Sequence, residues 1–277
     1  MKPKAMSQLA MVAIAAMRLL YLGEFGTIQS FGYVRPAVAV ACLSGKEALR
    51  LARCEQPSYA VDIMAKLKVL IIPVTPFGQN CSLVFNEETK RGAVVDPGGD
   101  VPEVLKAIEQ SGVKIEKILL THGHIDHAGG AAELRDALGV KIEGPHKDDQ
   151  FLLNDLPKSG AKYGMVNARV VEPDRWLEDG DEVTVAGLKF AIFHAPGHSP
   201  GSVVFFNDEN RFALMGDVLF QGSVGRTDFP YGSEKTLLAS IRDKILPLGD
   251  DVVFLPGHGS ASQIGVERKT NPYIKEL

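Results

Sequence analysis

The sequence predicts an α+β fold, in which one large domain combines strands with amphipathic helices behind an N-terminal appendage. The 277 residues exceed a nominal domain, but layered folds of this kind often use about 200 to 250 residues. With 45% hydrophobic and 23% charged residues, the chain has an ordinary globular composition and can bury a sizeable core. From residue 67 onward, β-rich runs and amphipathic stretches follow one another regularly.

The first 63 residues differ in charge from the rest of the chain. They carry seven Lys or Arg against four Asp or Glu, whereas residues 64–277 carry 23 against 30. The apolar stretch Leu9–Met17 is shorter than the ~20 residues of a membrane span. We interpret residues 1–63 as an N-terminal extension that is poorly ordered or a mis-assigned start, because Met64 directly precedes the first strong strand pattern. An organelle presequence is the alternative, since no acidic residue precedes Glu24.

Three consecutive strands open the predicted domain, and turn-forming residues separate them. The β-rich runs are Lys68–Val74, Cys81–Phe85 and Ala93–Val95. The last run ends in the turn Asp96-Pro97-Gly98-Gly99. Strands that follow one another in this way predict an antiparallel start to a sheet.

Helices are predicted on both sides of a further short strand. Asp100 is the expected cap of the first helix, with Glu103 completing a capping box and Gly112 ending the helix. A second helix is expected over Ala128–Leu138, ended by Gly139. The other predicted elements are the strands Lys117–Leu120, Glu182–Val185, Lys189–Phe193, Ser202–Phe206, Ala213–Met215 and Val252–Leu255, and a helix near Glu234–Ile245.

Histidines cluster where predicted strands end. Three of the seven histidines share the six-residue window 122–127 with Asp126, in a strand-to-helix loop. Further candidates, His198, Asp217 and His258, each follow a β-rich run, where functional groups commonly lie on loops held by strands. Neutral imidazole and carboxylate are ligands that zinc prefers, so these seven side chains suffice for two metal ions.

Four short motifs together carry a family resemblance. The HxHxDH pattern at 122–127 is followed by Pro-Gly-His at 196–198, Gly-Asp at 216–217 and Gly-His at 257–258. This set resembles the metallo-β-lactamase superfamily over about residues 67–277. The resemblance implies a four-layer αββα sandwich and a catalytic domain over residues 64–277.

The resemblance also implies a ligand set for two divalent metal ions, zinc first, with iron or manganese as alternatives. The implied ligands are His122, His124 and His198 for one ion, Asp126, His127 and His258 for the other, and Asp217 between the two. Asp126 and Asp217 would also serve catalysis by orienting a hydroxide. The best-known β-lactamases of this superfamily have Cys where Asp217 stands, so the Asp favours its thioester hydrolases, lactonases and phosphodiesterases.

Two more segments narrow the activity that the resemblance implies. Residues 222–229 and the Gly-His-Gly sequence at 257–259 with its Thr-Asn-Pro tail resemble the compact glyoxalase II enzymes, hydroxyacylglutathione hydrolases of the short bacterial type. These enzymes belong to methylglyoxal detoxification. The implied reaction is hydrolysis of S-D-lactoylglutathione to D-lactate and glutathione by attack of a metal-bridging hydroxide. A glutathione persulfide dioxygenase with a single iron, which shares Gly-Arg-Thr-Asp-Phe, and a lactonase of the superfamily are the alternatives.

Fewer residues indicate how the substrate would bind. Arg226 falls near the place where longer glyoxalase II enzymes have a glutathione-contacting Lys, and an ion pair with Asp228 is the alternative. Lys162 and Tyr163 are candidates for the mouth of the site, with a solvated loop as the alternative. The expected partner is a small glutathione-linked thioester. A net charge of −4 disfavours nucleic acid, no stable membrane insertion is expected, and three cysteines indicate the reducing cytoplasm.

Overall fold

Two six-stranded sheets form the centre of the computed structural model, which describes residues 59–63 and 66–277. The strands of the first sheet, in spatial order, are β1 (Tyr59–Ile63), β2 (Leu67–Val74), β3 (Gln79–Asn86), β4 (Arg91–Val95), β5 (Lys114–Leu119) and β6 (Lys141–Glu143). Strands β1 to β4 pair antiparallel, as the sequence predicted for its opening strands, and β4, β5 and β6 are parallel. Strand β1 precedes the predicted boundary at residue 64. The rest of the predicted extension, 1–58, lies outside the described residues, so that boundary stays a prediction.

The second sheet has the order β14-β13-β10-β9-β8-β7. Its strands are β7 (Glu182–Val185), β8 (Leu188–His194), β9 (Val203–Asn207), β10 (Phe212–Gly216), β13 (Val253–Pro256) and β14 (Ser262–Gln263). Strands β10 and β13 are parallel, and the other neighbours are antiparallel. A separate hairpin pairs β11 (Leu219–Phe220) with β12 (Ser223–Val224).

The helices of the described residues form two groups along the sequence, and strands β7 to β12 separate the groups. They are α1 (Val101–Ser111), α2 (Ile125–Ala128), α3 (Ala131–Leu138), α4 (Gln150–Tyr163), α5 (Glu234–Ser240) and α6 (Ile264–Thr270). Helix α5 continues into a π-helical turn over Ile241–Ile245. No helix in the described part of the chain has the length and apolar character to cross a membrane.

Three apolar cores stack in order and define the layers. Between the sheets lie side chains from both, including Leu67, Val84, Val95, Phe190, Phe205, Phe212 and Leu255. The other face of the first sheet packs on α1, α3 and α4 through Leu83, Val94, Ile118, Val104, Leu134 and Leu153. The other face of the second sheet packs on α5, the π turn and α6 through Phe206, Met215, Phe254, Leu237, Ile241 and Ile264. The result is the four-layer αββα sandwich that the resemblance implied.

Strand β9 shows how the sequence builds adjacent layers. Its side chains alternate between the sheet faces, because successive residues of a strand point in opposite directions. Val203 and Phe205 face the core between the sheets, whereas Val204 and Phe206 face the helical layer. All four are buried, so this central strand is apolar on both faces.

Two local predictions for the helices differ from the structure. Asp100 is the N-cap residue of α1 as predicted, but its side chain does not form the predicted capping box; its Oδ2 instead accepts a hydrogen bond of 2.7 Å from the backbone N–H of Thr75. The helix predicted over 128–138 is interrupted, because α2 ends at Ala128 and α3 begins at Ala131. A side chain at Gly129 would place its Cβ 2.6 Å from the Gly98 carbonyl oxygen, so the glycines at this break allow the chain to pass close to the β4–α1 turn.

Candidate metal centre

All seven side chains that the sequence singled out meet at one edge of the sandwich. The segment 121–127 follows β5 and runs into α2, and the loop with His198 follows β8. Asp217 comes directly after β10, and His258 is the second residue after β13. Strands β8, β10 and β13 run in the same direction in their sheet, so their carboxyl ends lie at the same edge.

The first cluster consists of three imidazoles, those of His122 and His198, which are buried, and that of His124, which is partly buried. Nδ1 of His124 lies 3.0 Å from Nε2 of His122 and 3.0 Å from Nε2 of His198. Burial, with repulsion from neighbouring histidines, holds the pKa of His122 and of His124 well below its ordinary value. The rings are therefore neutral at pH 7, which is the state in which histidine binds a metal ion.

The second cluster combines Asp126, His127 and His258. Nε2 of His258 lies 3.2 Å from Oδ2 of Asp126 and 3.3 Å from Nε2 of His127. Burial lowers the pKa of His127, but the carboxylates of Asp217, Asp126 and Asp96 outweigh it and raise that pKa to about 9. The surroundings of this cluster thus favour a positive charge.

Asp217 lies between the clusters. Its Oδ1 is 3.4 Å from Nε2 of His127, and its Oδ2 is 3.5 Å from Nε2 of His198 and 3.7 Å from Nε2 of His258. Oδ1 is buried and has no hydrogen-bond partner among the described residues. A buried carboxylate oxygen without a partner costs roughly 1–3 kcal/mol or more, and a cation removes that cost. The two clusters and Asp217 therefore fit a pair of divalent metal ions.

The nitrogens that face away from the clusters are also held. Nδ1 of His122 lies 3.0 Å from Thr121 Oγ1, and Nδ1 of His198 lies 2.8 Å from the carbonyl oxygen of Arg226. Such partners fix the tautomer and orientation of a ligating imidazole.

Asp96 also orients a ligating imidazole, although its sequence context predicted only a turn. Its Oδ2 lies 2.9 Å from Nδ1 of His127 and accepts a hydrogen bond from Thr121 Oγ1 at 2.6 Å, while its Oδ1 accepts one from the Thr121 N–H at 2.7 Å. The carboxylate thereby leaves Nε2 of His127 facing the second cluster. Its position directly after β4, a buried strand next to β5, was the signal in the sequence.

Tyr231 was also missed. Its hydroxyl oxygen lies 2.9 Å from Nε2 of His124, and its ring stacks on Phe229 with centroids 5.4 Å apart. No strand or histidine motif precedes Tyr231, so the sequence offered no local signal for this contact.

A cavity of about 910 Å³ opens over the metal centre, and the three predicted substrate residues line it. Arg226 pairs with Asp228 through two hydrogen bonds of 2.7 Å, so the ion pair that the sequence left open as an alternative is formed. Lys162 and Tyr163 lie in the last turn of α4, where the alternative had been a solvated loop. No carboxylate among the described residues forms an ion pair with Lys162, whose Nζ lies 5.1 Å from the centre of the Tyr163 ring.

His146 and His194, the remaining two histidines, lie outside both clusters. Their rings stack with centroids 4.0 Å apart and an angle of 14° between planes. Nearly parallel rings do not direct their in-plane lone pairs at a common point. Nε2 of His194 lies 2.7 Å from the Pro200 carbonyl oxygen, and Nε2 of His146 lies 2.9 Å from Glu178 Oε2.

Comparison with known proteins agrees with this fold. The family model of the metallo-β-lactamase superfamily matches residues 74–258. The hydroxyacylglutathione hydrolase GloC of Haemophilus influenzae is 44% identical over 209 residues, which are 75% of this chain and 98% of the relative. The crystal structure of the BLEG-1 B3 metallo-β-lactamase matches with a TM-score of 0.68 and 34% identity, covering 74% of this chain and 98% of that one. Di-iron-bound TTHA1623 matches with a TM-score of 0.66 and 34% identity, covering 73% and 98%.

The chain belongs to the metallo-β-lactamase superfamily. Within that family, its similarity to a hydrolase and its His and Asp clusters place it among the metal-dependent hydrolases.

Proposed function

We propose that the protein hydrolyses S-D-lactoylglutathione to D-lactate and glutathione at a two-metal centre. The observation that carries the proposal is the position of Asp217, whose carboxylate lies between a three-histidine cluster and an Asp-His-His cluster. The similarity to the hydroxyacylglutathione hydrolase of Haemophilus influenzae supports the choice of a glutathione thioester as substrate.

In this proposal the metal ligands are His122, His124 and His198 for one ion, Asp126, His127 and His258 for the other, and Asp217 for both. When bound, the two cations supply a hydroxide near neutral pH and neutralise charge that develops on the thioester carbonyl oxygen. The preponderance of imidazole favours zinc, and iron or manganese are the alternatives. Because the similar structure of TTHA1623 is in a di-iron-bound form, iron is also a relevant ion to test.

Asp126 and Asp217 are the proposed catalytic carboxylates of the chain itself. Burial raises the pKa of Asp126, but the rings of His127 and His258 outweigh it and hold that pKa below its ordinary value. Asp126 is therefore ionised at pH 7 and can accept a hydrogen bond from the attacking water. A thiol has a pKa near ~8.5, so the departing thiolate needs no strong general acid.

Lys162, Tyr163 and Arg226 are the proposed contacts to the glutathione part. Glutathione carries two carboxylates, and an ammonium or guanidinium group at the mouth of the cavity would attract them. Lys162 is free of an ion pair within the described part of the chain, whereas Arg226 must give up Asp228 to bind a substrate carboxylate. We therefore assign Lys162 the larger share of this contact.

The substrate assay separates the proposed function from its alternatives. Purified protein is incubated at neutral pH with S-D-lactoylglutathione, with glutathione persulfide while oxygen is recorded, and with a lactone, and Asp217→Ala is the control. Rapid release of D-lactate and glutathione that the control lacks supports the hydrolase. Oxygen consumption with the persulfide and no thioester cleavage would identify a dioxygenase, and lactone opening alone a lactonase.

The cytoplasm is the proposed compartment. Three cysteines in the whole chain are too few and too scattered for a disulfide framework, and Cys81 is buried as a free thiol. A test is to locate the protein by fractionation, and recovery from an oxidising compartment would contradict the proposal.

A further inference from the structure

The carboxylate of Asp149 accepts three hydrogen bonds close to the three-histidine cluster. It is fully buried at the start of α4. Its Oδ2 accepts hydrogen bonds from the Gly123 N–H at 2.8 Å and from Ser199 Oγ at 2.7 Å, and its Oδ1 accepts one from the Gly201 N–H at 2.6 Å. One carboxylate thus binds two separate loops.

Those two loops carry the whole first cluster. Gly123 stands between His122 and His124, and Ser199 directly follows His198. The loops come from different sheets, since one follows β5 and the other follows β8. Asp149 therefore connects the two sheets at the point where the three imidazoles meet.

The approach of both loops to Asp149 is so close that each has a glycine there. A side chain at Gly201 would place its Cβ 2.6 Å from the backbone nitrogen of Asp149 and 2.7 Å from its Cβ. A side chain at Gly123 would place its Cβ 3.3 Å from the Cβ of Asp149 and 2.8 Å from that of Leu152. A side chain at either position would therefore push its loop away from Asp149.

The donors around Asp149 match a carboxylate and not an amide. Both backbone N–H groups and the Ser199 hydroxyl point at acceptor oxygens, and no Lys or Arg of the described chain forms an ion pair with Asp149. An asparagine would turn its NH₂ group toward at least one of these N–H groups, and a buried donor facing a donor loses its hydrogen bond.

We propose that Asp149 is a positioning residue that sets the metal affinity of the three-histidine cluster by holding its two loops together. The inference rests on the proposed metal centre. Asp126 and His127 of the second cluster share the segment of Gly123, but they lie in α2, and Asp96 also holds His127. Asp149 makes no hydrogen bond to the loops that follow β10 and β13, which carry Asp217 and His258. Its loss should weaken one metal site far more than the other.

The test compares Asp149→Asn with a matched control, Asp148→Asn. Asp148 is the neighbouring carboxylate, exposed and outside this hydrogen-bond set. Metal-free protein is titrated with Co²⁺ against a chelator, and the paramagnetically shifted N–H protons of the ligating imidazoles show which cluster fills. Loss of a partner that orients metal ligands typically weakens binding by about 10–100-fold. We expect that loss at the three-histidine cluster in Asp149→Asn, with the second cluster and the control unchanged.

The proposal would be overturned if folded Asp149→Asn binds Co²⁺ equally weakly at both clusters. It would also be overturned if both clusters of that variant bind Co²⁺ as in the wild type. If Asp149→Asn does not fold, Ser199→Ala decides, because it removes only one of the three hydrogen bonds. A weaker three-histidine cluster in that variant supports the proposal, and unchanged binding at both clusters overturns it. Failure of the proposed function alone is distinguishable, because the wild type would then bind Co²⁺ at both clusters but not cleave the thioester. A wild type that binds no Co²⁺ would overturn both proposals.

Discussion

The hydroxyl oxygen of Tyr231 lies 2.9 Å from Nε2 of His124, at the wall of the cavity above the three-histidine cluster. Burial raises the pKa of Tyr231 to about 12, so the side chain is a neutral phenol at pH 7. In the tautomer that leaves Nδ1 of His124 free for a metal ion, the Nε2–H group donates a hydrogen bond to the phenol oxygen of Tyr231. Tyr231 can thus support that tautomer by accepting this hydrogen bond.

Tyr231→Phe should lower the metal affinity of the three-histidine cluster. The ring and its stacking on Phe229 remain, while the acceptor for His124 Nε2 is lost. We expect binding that is about tenfold weaker, measured by competition with a chelator. Tyr163→Phe is the matched control, because no hydrogen bond of the Tyr163 hydroxyl is formed within the described residues. Equal affinities in the two variants would show that the hydroxyl of Tyr231 has no such role.

Asp217→Ala should lose both metal binding and hydrolysis. The buried Oδ1 has no other partner among the described residues, and both oxygens face histidines of the two clusters. Metal content per chain, measured by elemental analysis, should fall together with the rate. Asp136→Ala, which removes an exposed carboxylate on α3, is the control and should keep both. An inactive Asp217→Ala protein that retains two metal ions would contradict a bridging position.

Lys162→Ala should raise KM for S-D-lactoylglutathione with little change in kcat. An exposed charge contact is worth up to about 1 kcal/mol, so the increase should be up to about fivefold. Arg226→Ala should have a smaller effect, and Asp228→Ala should lower KM, because Arg226 is engaged by Asp228. A neutral thioester without carboxylates should show none of these differences. The assignment fails if Arg226→Ala raises KM more than Lys162→Ala does.

His194, whose ring stacks on that of His146, should make stability depend on pH. Burial, together with the neighbouring His146 and Lys244, lowers the pKa of His194 below its ordinary 6.5. Near pH 6.5, His194 therefore binds more protons in the unfolded chain than in the folded chain. The free energy of unfolding falls as the pH drops below that value. In His194→Gln the loss between about pH 7.5 and 5.5 should be smaller, as measured by denaturant unfolding. Parallel pH curves for the two proteins would contradict the assignment.

Short-range patterns predicted most of the strands and the residues of the two clusters. The strand Glu182–Val185 has the predicted bounds, and the other predicted strands are shifted at most at their ends. The HxHxDH window needed no knowledge of the fold, because its ligand types lie within six residues. Its remaining partners were found through their places after strands.

Residues that act through distant partners were not predictable in this way. Asp96 reaches His127 across 31 residues, and Tyr231 reaches His124 across 107. Asp100 was assigned to its own helix, yet its carboxylate binds the backbone of Thr75, 25 residues earlier. In each case the polar group makes a tertiary contact with a residue far away in the sequence, which the local sequence pattern does not indicate.

The most direct test of the two-metal centre is a titration of metal-free protein with zinc, in which bound metal per chain and the rate of S-D-lactoylglutathione hydrolysis are recorded together. We expect no hydrolysis without metal and a rate that stops rising only at two bound equivalents. Full activity without metal or with a single equivalent would contradict the two-metal centre, and two equivalents without hydrolysis would contradict the proposed reaction.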